Sequence, residues 1–82
     1  MERFLLLFLQ KNDNIYILLN KDVKIYRSNS LKSGVCSKLQ NGQLVHVLHK
    51  NKKWCHIEWV VNGEEHYGWV QNYHLNPLII DN

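Results

Sequence analysis

The stretch Trp54–Val70, "WCHIEWVVNGEEHYGWV", decides the fold class. Its first half alternates: Cys55, Ile57, Trp59 and Val61 fall on one side of an extended chain, and Trp54, His56, Glu58 and Val60 on the other. Asn62-Gly63 then offers the positive φ angles of a two-residue hairpin turn. "HYGWV", His66–Val70, returns as the partner strand, with Gly68 as a bulge or a point of close backbone approach. Trp69 and Val70 are expected to seal the core. Neighbours on a strand point opposite ways, so only one of them can be fully inside, and Trp69 is expected to behave as a large core residue.

Period two continues on both sides of this hairpin. "IYILL", Ile15–Leu19, is β-branched and aromatic, "NKD" turns, and "VKIYR" sets Val23 and Ile25 around Lys24. "QLVHVLH" places Val45 and Val47 on one face, and "KNKK", Lys50–Lys53, is a turn with three lysines. "SNSLKSGVCSKLQNG" reads as a long polar connection whose Leu31, Val35, Cys36 and Leu39 lie over one side of the fold. "QNYHL" is a short single turn and "NPLIIDN" a tail. The expectation is an all-β chain, a small barrel of five to six short strands over 21–76 with a tail at 77–82. Residues 1–20 form an apolar extension, a strand, hairpin or short helix packed on that barrel.

Composition narrows the function. An 82-residue chain is one domain with a thin core and little room for an enclosed active site. Hydrophobic residues at 45% and charged residues at 21% indicate a globular chain and not a disordered one. Ten Lys and Arg against seven Asp and Glu give a net charge of +3, a weak pull toward an acidic partner. The apolar run Phe4–Leu9 in "MERFLLLFLQ" is shorter than a signal core and is followed by no small-residue cleavage site. A spanning helix needs about 20 apolar residues, so no transmembrane segment is expected. A cytoplasmic protein follows, with an exported or envelope-associated one as the alternative should "RFLLLFL" act in export or anchoring. Without an export signal, Cys36 and Cys55 read as two reduced, buried thiols in preference to a disulfide.

From Val23 to Leu75 the order of features, "VKIYRSNS", "GVCSKLQNG", "LVHVLHKNKKW", "CHIEWVVNG", "YGWV" and "NYHL", resembles the bacterial SH3 (SH3b) family. That family is similar in having an opening strand, a long loop, a valine-rich strand, a turn before Trp, an Asn-Gly hairpin and a closing Gly-Trp-Val. The match covers about two-thirds of the chain, and the opening strand departs from it by lacking a Gly-Pro pair. The resemblance implies an SH3-like barrel and a binding module, not an enzyme, with cell-wall peptides or proteins as ligands. Nothing resembles the eukaryotic "ALYDY" segment, so proline-rich peptide binding is not implied.

The residues themselves argue against most chemistry. Five histidines, His46, His49, His56, His66 and His74, and two cysteines invite zinc, but Cys55 and His56 point to opposite faces of one strand and the spacings match no structural zinc pattern. No metal or cofactor is expected. Glu64 and Glu65 read as a solvated turn, and a Cys-His nucleophile would need an exposed thiolate. Single-stranded nucleic acid could meet Lys50, Lys52 and Lys53 beside Trp54. Against it, the lysines sit in one turn, and Glu58, Glu64 and Glu65 dilute the field. The candidate site is an outer patch of Tyr26, Trp54 and Tyr73 bordered by Lys53 and His74, with partly buried structural aromatics as the alternative. The expected function is non-catalytic recognition of a protein or peptide partner; the alternative is a cell-wall peptide module at the bacterial surface. Residues 4–19 are the expected contact for a homodimer.

Overall fold

The computed structural model describes residues 15–78. Readings that concern residues 1–14 and 79–82, including "RFLLLFL" and most of the dimer contact, lie outside the described residues. Seven strands follow in chain order: β1 (Ile15–Leu18), β2 (Val23–Tyr26), β3 (Val35–Leu39), β4 (Leu44–Lys50), β5 (Trp54–Val61), β6 (Glu64–Gln71) and β7 (Leu75–Pro77). Single 3-10 turns at Leu31–Ser33 and Asn72–His74 complete the described chain. The strands form one curled antiparallel sheet, a half-barrel, in the order β3-β2-β6-β5-β4-β1-β7. No helix among the described residues is long and apolar enough to cross a membrane.

The decisive hairpin forms as its sequence dictates. Val61 pairs with Glu64, leaving Asn62 and Gly63 as a two-residue turn with φ of 52° and 82°. Positive φ at both positions is the backbone that matches the right-handed twist of the flanking strands. The inner face collects Val23, Ile25, Val45, Val47, Cys55, Ile57, Trp59 and Val70, closed by Leu18 and Leu39. Burial pushes the Cys55 thiol above its ordinary value, outweighing the opposite pull of Lys50.

Three expectations are corrected. The polar connection after Tyr26 contains a strand, β3, and residues of the expected tail contribute β7, so there are seven strands instead of five to six. Of its apolar set only Leu39 reaches the core; Leu31, Val35 and Cys36 are exposed. The serines explain this, because the loop satisfies its own polar groups: Ser33 Oγ donates to the Ser30 carbonyl at 2.7 Å and accepts from Ser28 N–H at 3.1 Å. β3 then runs at the edge of the sheet, where Lys38 and a register shift opposite Ile25 and Tyr26 make it a poor template for another strand.

The third correction concerns Trp69, which lies half-buried on the outer face while Val70 takes the core. Gly68 sets this parity. It is a point of close approach and not a bulge, since the β5–β6 register runs unbroken past it. A Cβ at Gly68 would fall inside the van der Waals envelope of Ile25 Cγ2, a fully buried side chain, and 3.4 Å from the Tyr26 carbonyl oxygen. Gly68→Ala is therefore expected to lower stability by about 1–3 kcal/mol through overpacking, read as a lower urea midpoint. In the Ile25→Ala background the same substitution should cost less, and an equal cost in both backgrounds would show that the clash is not with Ile25.

Candidate binding site

Strand register assembles the site. Val35 pairs with Tyr26, Tyr26 with Trp69, Trp69 with His56, and His56 with His49, so one row of five residues crosses β3, β2, β6, β5 and β4. Alternation puts this row on the outer face, because Ile25, Ile57 and Val70 next to it point inward. His56 stacks on Trp69 with centroids 4.7 Å apart and planes 16° apart. His49 meets Trp69 edge-on at 6.4 Å, and Tyr67 approaches His56 at the same distance.

The expected patch borders this row. Tyr26 and Trp54 meet as a T, centroids 5.4 Å apart, on the outer face. Trp54 is only 9% exposed, so it supports the patch from below instead of projecting as an anchor. Opposite Trp54 stands Gln71, whose Oε1 accepts from the Tyr73 hydroxyl at 3.3 Å. Tyr73, 68% exposed, lies 4.1 Å from the His74 ring. His74 Nδ1 donates to Asn20 Oδ1 at 2.7 Å, and burial pulls its pKa below the ordinary value, so the patch gains no charge from it near neutral pH. The Tyr26–Trp54 pair and the Tyr73–His74 pair thus lie on either side of Gln71, which pairs with Trp54 in the ladder and bonds Tyr73 through its side chain.

Lys53 joins them through its backbone. Asn72 N–H donates to the Lys53 carbonyl at 2.9 Å, and Asn72 Nδ2 donates to the Lys52 carbonyl at 2.7 Å. Within the lysine turn, Asn51 Oδ1 accepts from the N–H groups of Lys53 and Trp54. The two asparagines therefore fix the turn against the segment that carries Tyr73. Lys50 departs from the expected three-lysine tip: it pairs with Cys55, and its Nζ lies 5.5 Å from the Tyr16 ring centroid.

Sequence reasoning missed Trp69, His56, His49 and Tyr67 as members of this face. The signal was present as alternation, since Tyr67, Trp69 and Gln71 share one parity and Gly68 and Val70 the other. At the far end of the face the outer residues are buried, and His46 Nδ1 donates to Glu58 Oε1 at 2.6 Å, with the two residues 3% and 6% exposed. Among the described residues no three His, Cys, Asp or Glu side chains converge as a metal site. Comparison of the chain with protein-family models, with curated proteins and with solved structures gives no match.

Proposed function

We propose that this chain is a non-catalytic recognition module that takes a protein or peptide partner on its outer aromatic face. The observation that carries the reading is the set of neighbouring ring groups, His49–Trp69–His56–Tyr67 and Tyr26–Trp54 on the outer face of the sheet and Tyr73–His74 in the turn beside it. Rigid aromatic side chains present large contact area with few rotors to freeze, which is the usual composition of binding hot spots. The resemblance to bacterial SH3 modules points the same way, and the role proposed is that of a cytoplasmic interaction subunit.

Tyr73→Ala tests it. Tyr73 is the most exposed ring of the patch, so its truncation should leave the melting transition within about 0.5 kcal/mol of wild type. Partner retained from soluble and envelope extracts of the host should fall roughly tenfold, the loss expected of a hot-spot aromatic. Equal retention by the variant removes the patch from the reading. Trp54→Ala is a poorer probe, because its burial couples binding to stability.

A further inference from the structure

We propose that the partner segment is an acidic, extended peptide that lies across the strands along the row from Val35 to His49, with its carboxylates against lysines that flank the row on one side. The inference rests on the peptide-recognition reading and adds the chemistry of the ligand.

Direction within the sheet places those lysines. β2 and β5 are both antiparallel to β6 and so run the same way. Stepping back two residues from Tyr26 reaches Lys24, and stepping back two from His56 reaches Trp54, on the same side of the row and the same outer face. Lys38 is the direct cross-strand partner of Lys24. Beyond Trp54 come Lys53 and Lys52 in the turn fixed by Asn72. Among the described residues, none of these four lysines is within salt-bridge distance of a carboxylate.

Like charges directly opposite each other on neighbouring strands repel. Lys24 and Lys38 keep that arrangement at an exposed edge, where an incoming anion would relieve it. Of the described carboxylates only Asp22 stands on the lysine side, two residues before Lys24. Asp22 accepts from Gln40 Nε2 at 3.0 Å, Glu58 is buried against His46, and Glu64 and Glu65 lie beyond Tyr67 at the hairpin end. One long side of the aromatic row therefore carries four lysines against one carboxylate, and the acidic tip is at the other.

Ring orientation favours a peptide over nucleic acid. Trp69 and His56 are cross-strand partners whose rings stack nearly parallel at 4.7 Å, about the spacing of the strands that carry them. Each ring thus covers one face of the other. A base needs an open ring face on which to stack, and this pair spends one face of each ring on the other.

A library of random dodecapeptides panned on the full chain, with Lys24→Glu/Lys38→Glu as counter-selection, tests the proposal. Expected is a pool rich in Asp and Glu with interspersed apolar residues. An enriched peptide should lose roughly tenfold or more in affinity against the charge-reversed variant. It should also weaken between about 50 mM and about 500 mM salt as screening shortens the reach of the lysines. Trp69→Ala should weaken the same peptide, with the melting curve recorded beside it. Neutral or basic peptides that bind both lysine forms equally, yet lose affinity in Tyr73→Ala, overturn the acidic ligand and leave the recognition module standing. No enrichment overturns both readings, and if oligothymidylate is bound in its place through the same lysines, nucleic acid is the ligand.

Discussion

Replacing Trp59 by alanine should lower the stability of this chain by about 3–5 kcal/mol, the usual range for removing a buried tryptophan. Trp59 is 2% exposed, belongs to the main core cluster, and stacks on its cross-strand partner His66 at 5.8 Å. A domain this small has only a thin core, so the loss is a large share of the roughly 5–15 kcal/mol that holds typical domains folded. The measurement is a urea titration followed by circular dichroism, with Trp59→Phe alongside to keep most of the volume. Trp69→Ala provides the internal comparison. Both tryptophans lie on the same hairpin, but Trp69 is half-buried on the outer face, so its truncation should cost distinctly less. If the two variants melt in the reverse order, the parity of β6 assigned through Gly68 is wrong.

The second large effect belongs to Glu58. Its carboxylate accepts from His46 across the β4–β5 ladder with both residues almost fully enclosed. Glu58→Ala removes the acceptor 2.6 Å from the imidazole and leaves a polar group to be desolvated without it, an expected cost of about 3 kcal/mol. Glu58→Gln retains a hydrogen-bond acceptor and should lose less. The double replacement His46→Leu/Glu58→Met should recover most of the loss, since apolar residues of similar volume avoid the desolvation cost. A double variant no more stable than Glu58→Ala would show that shape, and not polarity, governs the site.

Local pattern and short-range turn chemistry made much of the fold legible. Alternation along Trp54–Val61 and the Asn62-Gly63 step identified the central hairpin, and Val45 with Val47 and Val23 with Ile25 identified the inner faces of β4 and β2. β3 escaped because an edge strand needs only one covered flank; its exposed Val35 and Cys36 break the apolar alternation that marks interior strands. The side taken by Trp69 was not readable from "YGWV" alone, since either parity satisfies period two. The choice is made by Ile25, far away in sequence, crossing at Gly68. The same limit applies to the site. Tyr26, Trp54 and Tyr73 could be grouped by residue type, whereas the row from Val35 to His49 and the Lys24–Lys38 pair exist only through the register of five strands. His46 and Glu58, twelve positions apart, meet for the same reason.

The placement of β1 between β4 and β7 also orders events during synthesis. β1 leaves the ribosome first among the described strands, but it pairs with Leu44–His46 on one side and Leu75–Pro77 on the other. Its first partner is made only after some two dozen further residues, and its second only when Pro77 has emerged. Over that interval a short apolar strand waits with both hydrogen-bonding edges open, while the β5–β6 hairpin can close locally as soon as it is made. Nascent chains of this protein should therefore be most prone to sticking between completion of β1 and arrival of β4, and a chaperone that shields Ile15–Leu18 during that window would raise yield without altering the finished fold.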